Sequence, residues 1–451
     1  MQNELELRPQ EGPQEQFLQN NANIVIYGGA AGGGKTFALL LECLRWISKK
    51  NFSAVIFRRT STQIRNAGGL WDTSTTIYPL CGGYPRESRL EWSFPSGAKI
   101  AFANMEYDKD RFNWQGSQIP LIGFDELTHF TWSQFMYMFS RNRSVSGIPS
   151  YIRATTNPDP DSWVRHMISW WIDDQTGYAI PERSGVIRWF VVENEKVIWA
   201  DSKEELLSVD STRLPKSFSF VASTVYDNKI LLERDPGYLS SLKALSRFER
   251  EQLLMGNWNV RPSAGMFFQR GYFEVVDVLP RNCTFVRYWD RAATKKTENN
   301  DPDYTVGVKL AKDLNGIFYV CDVVRLQESP LHVQNAIKNT SSQDGNNCRV
   351  GIEQDPGQAG VSEVDLLIRM LAGYNATPYK VTKDKITRAS PVSAQAEAGN
   401  IRVLRGNWNE DFFRELENFP EASHDDIVDA LSGAFLMHTE EKYNLYALAQ
   451  M

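Results

Sequence analysis

Basic excess, paired cysteines and long apolar runs are all missing from this chain, and each absence closes off a class of protein. Lysine and arginine number 49 against 55 aspartate and glutamate, a net charge of −6, and the isoelectric point lies near 5.6. Overall charge therefore does not announce a binder of phosphate backbones, and any such affinity must rest on local patches. Candidate patches are Arg58-Arg59, Lys295-Lys296 and the run Lys380, Lys383, Lys385, Arg388. The 5 cysteines (Cys43, Cys81, Cys283, Cys321, Cys348) are odd in number, widely spread and without a C-x-x-C pair. That argues against a disulfide framework and a structural zinc site, and for a reducing compartment. The start MQNELELRPQEGPQEQF is polar and acidic, and no apolar run approaches the roughly 20 residues of a membrane span. Neither secretion nor membrane anchoring is expected.

What remains is an ordinary globular composition, 42% hydrophobic, 23% charged and 12% aromatic. A chain of 451 residues exceeds the length at which one hydrophobic core stops growing, so two domains are expected. The first half reads strand, turn, helix, strand: NIVIYGG, a glycine loop, FALLLECLRWISK, SAVIFRR. A hairpin-like LEWSFPSGAKIAFANM follows, then the apolar strand IPLIGFDE, a helix TWSQFMYMFSR and the strand YIRATTNP. Such continuous apolar strands belong to a parallel sheet covered on both faces. VIRWFVVENEKVIWA reads as an inserted hairpin, a candidate lid subdomain, before FSFVASTV and a helix over LSSLKALSRFEREQLLMG. The Gly, Pro, Asn and Ser in GNWNVRPSAGM mark a linker, which places an α/β first domain at residues 1–257, a linker at 258–265 and a second domain at 266–451. That second domain opens on three antiparallel strands and continues α-β-α-β-α, ending in HDDIVDALSGAFLMH, with Ser423 as a possible cap of the final helix.

Two constellations carry chemistry. Gly29-Ala30-Ala31-Gly32-Gly33-Gly34-Lys35-Thr36 fits G-x-x-x-x-G-K-[ST] between a strand and a helix, the context this phosphate-binding loop requires. Its backbone N–H groups cradle phosphate, Lys35 neutralises the β- and γ-phosphates of ATP, and Thr36 offers a hydroxyl to Mg²⁺. Asp125 and Glu126 end an apolar strand, as a metal-holding and a water-polarising acid would. Asn157, closing Thr155-Thr156-Asn157, is a candidate γ-phosphate sensor; Arg141 and Arg143 are candidate arginine fingers; Gln16 is a candidate reader of adenine.

The second constellation is made of separated carboxylates. Asp290 ends one strand, Glu353 and Asp355 share a face at the end of another, and Asp425, Asp426 and Asp429 lie at i, i+3 and i, i+4 spacings in SHDDIVDALSGAF. Brought together, they suit two Mg²⁺ or Mn²⁺ ions roughly 4 Å apart on a phosphodiester, with hard oxygen ligands and no cysteine. Asp429 sits inside the apolar run Ile427-Val428-Asp429-Ala430-Leu431, where an unpaired carboxylate would be costly, so a metal or a basic partner is expected beside it. His424, a lone histidine near a helix start, stays outside this core set.

Both constellations, in this order on one chain, resemble the large terminase subunit of tailed phages. The resemblance spans nearly the whole chain and rests on GGAAGGGKT, VIFRRT, LIGFDE, TTNP, FEREQLLMGNW, YWDRA, IEQDPGQAG, DKITRASP and NFPEASHDDIVDALSGAF. It implies an ASCE-type P-loop ATPase followed by an RNase H-like nuclease, which moves double-stranded DNA into a procapsid and cuts concatemers. It implies a small terminase subunit and a portal protein as partners, a pentameric ring on the procapsid with a monomer conceivable in isolation, and action in the host cytoplasm. By resemblance the nuclease ligands are Asp290, one of Glu353 or Asp355, and one or two of Asp425, Asp426 and Asp429. The competing readings are a helicase-nuclease of repair or defence, and an assembly factor whose P-loop only switches.

Overall fold

The structure is a computed structural model that describes residues 7–144, 147–194, 196–292, 302–354, 358–381 and 383–439. Asp355, Lys295 and Lys296 lie outside the described residues. Two compact units result, one of Met1–Lys243 with Arg250–Val260, the other of Ala244–Glu249 with Arg261–Met451. Among the described residues no helix is long and apolar enough to cross a membrane, and all 5 cysteines are free.

The first unit is built on β1 (Ile24–Gly29), β2 (Ser53–Arg58), β3 (Tyr84–Arg86), β4 (Glu91–Ser93), β5 (Lys99–Asn104), β6 (Leu121–Phe124), β7 (Tyr151–Thr156), β8 (Ile187–Glu193), β9 (Lys196–Ala200) and β10 (Lys216–Ser223). They form one sheet in the order β3-β4-β5-β2-β6-β7-β1-β10-β8-β9. The central strands from β5 to β10 are parallel. Alternation explains how one strand serves two cores: Val25 and Tyr27 pack with Leu39 and Leu40, whereas Ile24 and Ile26 join the opposite cluster of Phe124, Phe135 and Phe220. β7 lies between β1 and β6, which sets the ends of the phosphate-loop strand and the acidic strand one strand apart. The glycine loop leads into α2 (Lys35–Leu44), α1 (Pro13–Gln19) precedes β1, and α3 (Trp132–Arg141) follows the acidic pair. The hairpin of β8 and β9 pairs antiparallel with β10, so it extends the edge of the sheet.

The second unit carries β11 (Glu274–Val276), β12 (Thr284–Asp290), β13 (Thr305–Lys312), β14 (Phe318–Leu326), β15 (Cys348–Gln354), β16 (Ala376–Lys380) and β17 (Ile401–Leu404). Their order is β11-β17-β14-β13-β12-β15-β16. β12, β13 and β14 run antiparallel, and β15 and β16 add parallel beside β12. The helices are α4 (Pro330–Asp344), α5 (Gln358–Met370), α6 (Lys385–Glu397), α7 (Asn409–Asn418) and α8 (Asp426–Thr439).

Three sequence expectations are corrected. The long helix over LSSLKALSRFEREQLLMG is broken into Pro236–Lys243, a turn at Arg247–Glu249 and a π-helical turn at Arg250–Leu254. Ser246 accounts for the interruption: its hydroxyl and N–H both bond Glu249, a local alternative to continuing the helix. β11 and β17 have no counterpart in the sequence pattern; each is short, and β17 pairs parallel with both β11 and β14, which leaves no hairpin signal. Ser423 does not cap the last helix, which begins at Asp426, with the Ile427 N–H bonded instead by the Glu415 carboxylate at 2.5 Å.

Two candidate active sites

The phosphate loop takes its shape from glycine. Gly34 precedes α2 at φ 73°, and a Cβ there would lie 2.1 Å from Gln14 Nε2. Gly29, at φ 130°, passes so close to β10 that a Cβ would meet the Ser223 carbonyl at 2.1 Å. Lys35 is buried and donates to the Gly29 and Ala30 carbonyls at 3.3 and 2.5 Å. Burial pulls its pKa down, against the opposing charges of Glu126 and Asp125. The loop is further braced by Gln14, whose Nε2 donates to Gly34 O at 3.1 Å, and by Asn228, which donates to Gly32 O at 2.7 Å.

Asp125 is the hub of this site. Its Oδ1 accepts from Thr36 Oγ1 at 3.0 Å and from Thr155 Oγ1 at 2.7 Å, and its Oδ2 pairs with Arg58 Nη1 at 2.8 Å. Glu126 stands in the left-handed region at φ 61° and is held from β7. Its N–H donates to Thr155 Oγ1, while Asn157 donates to Glu126 through both its side chain (3.0 Å) and its backbone (3.1 Å). Thr36, Asp125, Glu126, Thr155 and Asn157 thus form one connected network at the ends of β1, β6 and β7. Hydroxyl and carboxylate oxygen converge at Thr36 and Asp125, a donor set that fits Mg²⁺.

Other sequence candidates are placed elsewhere. Gln16 exchanges hydrogen bonds with Ser184, at 3.0 Å to its carbonyl and 3.1 Å from its hydroxyl. It lines a cavity of about 580 Å³ that also touches Gly29, Tyr178, Phe220 and Ser223. Arg141 stacks on Tyr137, and Arg143 donates to the Ser117 and Gly116 carbonyls, so neither is joined to the network above. The Arg58-Arg59 pair is no free basic patch: Arg58 belongs to Asp125, and Arg59 bonds Met105 O and Gln134. Gln14 and Arg58 are the residues that sequence reasoning missed here, since their partners lie 20 and 67 positions away.

In the second unit, Asp290 ends β12, and its carboxyl is pushed well above the usual carboxylate range by burial and then by the charges of Glu353, Asp429 and Asp426. Sheet pairing of β12 with β15 brings Glu353 alongside, where it accepts from Tyr288 Oη at 3.1 Å. α8 contributes Asp426 and Asp429, both buried. Asp426 Oδ2 accepts the Tyr304 N–H at 3.1 Å. Asp429 is pushed up to about 6, by burial against the lowering charges of Arg388 and Lys385. Those two cations come from α6: Arg388 Nη2 lies 2.6 Å from Asp429 and its Nη1 3.5 Å from Glu353, while Lys385 Nζ lies 2.5 Å from Asp425 and 3.5 Å from Asp429. The basic partner expected for Asp429 is therefore present.

Asp303 and His424 join Asp426 in a group whose ligand atoms all lie within 4.8 Å of one another. Asp303, an exposed aspartate in a loop, carries no local mark in the sequence, and His424, outside the core carboxylate set, lies 3.8 Å from Asp426. The mutually repelling carboxylates around Asp290, of which Asp426 and Asp429 are buried, are a hard oxygen set of the kind that divalent ions neutralise, so the residues fit a metal.

Comparison with known families decides between the readings. Residues 26–274 match the family described as terminase large subunit, T4-like-virus type, N-terminal, and residues 287–438 match the terminase RNaseH-like domain. The chain belongs to the terminase large subunits. A terminase large subunit couples ATP-driven DNA packaging to metal-dependent cleavage, and the P-loop ATPase and RNase H-like nuclease units are those of this family. No curated protein matches the sequence. Among solved structures, the large terminase of the thermophilic bacteriophage D6E is similar over 96% of this chain and 100% of that one, with 14% identity and a TM-score of 0.59. A second crystal form gives 0.60 over 95% and 98% at 14% identity, and the D6E complex with ADP gives 0.57 over 91% of each chain, again at 14% identity. At that identity the likeness is one of fold.

Proposed function

We propose that this terminase hydrolyses ATP with Lys35, Thr36, Asp125 and Glu126 and cuts DNA with two ions held around Asp290. In the ATPase site, Lys35 binds the β- and γ-phosphates, giving up its carbonyl partners, and Thr36 with Asp125 would hold the nucleotide's Mg²⁺. Glu126, fixed by Asn157 and Thr155, polarises the attacking water and takes its proton at a carboxylate oxygen. Because Asn157 donates twice to Glu126, the end of β7 is mechanically tied to the catalytic acid. Gln16 and the cavity beside Gly29 suit the nucleobase. ADP and ATP-γ-S complexes of the D6E large terminase support nucleotide at such a site.

The nuclease reading is carried by one observation: Asp290 stands among the carboxylates of Glu353, Asp429 and Asp426, whose charges add to desolvation in raising its pKa even with Arg388 nearby, an arrangement characteristic of functional sites. Asp290, Glu353, Asp426 and one of Asp425 or Asp429 would hold the ions. Ions held by these carboxylates would supply an acidified water and offset negative charge developing on the leaving 3′-oxygen. The protein's own part is to orient these carboxylates from β12, β15 and α8. Double-stranded DNA, the small subunit and the portal are the partners the family implies, and we extend this to a pentameric ring docked on the procapsid in the host cytoplasm.

Paired substitutions test the assignment. Glu126→Gln is expected to lower ATP turnover by about 10²–10⁴ while plasmid cleavage in Mn²⁺ persists; Asp290→Asn is expected to do the reverse. Unchanged cleavage by Asp290→Asn would refute the nuclease site, and unchanged turnover by Glu126→Gln the ATPase assignment.

A further inference from the structure

The two cations of α6 stand in different environments although they face the same carboxylates. Arg388 has a side chain only 15% exposed and is fixed across Glu353 and Asp429. The Lys385 side chain is 54% exposed, yet its ammonium lies 2.5 Å from Asp425 and 3.5 Å from Asp429. A buried, forked guanidinium is held by geometry, whereas an exposed ammonium on a four-carbon stem can leave one partner for another at small cost. Asp425 and Asp429 are also among the oxygens that the nuclease reading offers to a divalent ion. An ammonium and a dication cannot both occupy the same carboxylate lone pairs without strong repulsion.

We propose that Lys385 is a further catalytic residue of the nuclease, docked on Asp425 and Asp429 while the ions are absent and released onto a non-bridging oxygen of the scissile phosphodiester when they bind. The inference rests on the nuclease reading above. Lys385 transfers no proton; it donates hydrogen bonds and positive charge to a phosphate that becomes more anionic toward the transition state. Docked, the same ammonium opposes ion binding, so the cleavage site stays poorly charged with metal until DNA offers Lys385 a better partner. Linkage requires the reciprocal effect: phosphate that draws Lys385 away must tighten ion binding. Arg388 is a positioning residue in this scheme, because Glu353 and Asp429 keep their mutual placement through it.

Lys385→Met, Lys385→Arg and, as a charge-matched control, Lys383→Met in the full chain test this. Lys383 is exposed on the segment just before α6. Mn²⁺ affinity is read by electron paramagnetic resonance without DNA, and folding of the second unit is checked by its unfolding transition in urea with EDTA. Lys385→Met is expected to bind Mn²⁺ about tenfold more tightly than wild type, and Lys383→Met to change affinity far less. At saturating Mn²⁺, Lys385→Met should cleave plasmid at least about tenfold more slowly, with rate recovered in Lys385→Arg. Equal affinities for Lys385→Met and Lys383→Met would overturn the competition, and an undiminished saturating rate would overturn the role toward phosphate. Wild type that binds no Mn²⁺ would instead bring down the nuclease reading itself, and this inference with it.

Discussion

A carboxylate inside an apolar helix face must be answered by a cation, and the identity of that cation decides what a substitution does. Asp429 is 4% exposed and is met by Arg388 at 2.6 Å. Removing Arg388 leaves the buried Asp429 with only the more distant Lys385 at 3.5 Å, at a cost of up to about 3–5 kcal/mol, whereas replacing both members of the pair with apolar groups is often neutral. Arg388→Ala is therefore expected to destabilise the second unit by roughly that amount in urea at neutral pH, and Arg388→Leu with Asp429→Leu by much less; equal losses would contradict the pairing. The Asp429 anomaly was legible in the sequence because its neighbours Ile427, Val428, Ala430 and Leu431 betrayed the burial. The phosphate loop was legible because its residues are contiguous and each has a chemical duty. Arg58 was not: an arginine at the end of β2 looks like any surface cation until β6 pairs beside it and places Asp125 within 2.8 Å. Gln14 and Asp303 were hidden for the same reason, since their significance lies wholly in distant partners.

At the scale of elements, the nuclease site depends on how closely α8 lies on β12. Gly433 faces Tyr288, and a Cβ there would approach the ring to 2.3 Å. Tyr288 is buried, and its hydroxyl holds Glu353, so the ring cannot give way without moving a candidate ligand. Gly433→Ala is expected to cost about 1–3 kcal/mol through overpacking and to depress cleavage while ATP turnover stays at the wild-type rate; cleavage at full rate would show that the ring relaxes freely. The start of α8 is held from α7 by Glu415, which accepts the Ile427 N–H and lies 3.3 Å from Arg325. Burial pushes Glu415 up to about 7, despite that hydrogen bond and Arg325. A carboxyl with a raised folded pKa stabilises fully below its unfolded value and loses that contribution as pH rises through the folded one. In EDTA, wild-type stability should fall between roughly pH 4.5 and 7, by on the order of 1–3 kcal/mol from this group, and Glu415→Gln should flatten the profile. An identical slope in the variant would rule Glu415 out as its source. Long apolar or alternating elements such as β1, β6 and β12 could be read directly. β11 and β17, with 3 and 4 residues, carry too few positions for a periodicity, and the helix ending at Lys243 is stopped by a side-chain bond that no hydrophobic pattern reveals.

The whole molecule divides its chemistry between two hydrophobic cores. Aromatic and aliphatic clusters line both faces of the sheet in the first unit, and the second unit has a core of its own around Trp289, Ile337, Ile352 and Leu367. Each active site is assembled from strands and helices of one unit, the first from β1, β6 and β7, the second from β12, β15 and α8. A ligand that binds only the folded form of its unit stabilises by about 2.7 kcal/mol at one hundred times its dissociation constant, which for units of this size shifts a transition by about 5–10 °C. Calorimetry should therefore separate the two activities without any assay of either. Mg²⁺ with ADP is expected to raise one transition and Mn²⁺ alone the other, since Lys35 serves phosphate and Asp290 serves cations. Lys35→Ala should abolish the first shift and leave the second, and Asp290→Asn should do the opposite. A single transition moved by both ligands, and weakened by either substitution, would mean that the cores melt as one and that the two chemistries share their stability.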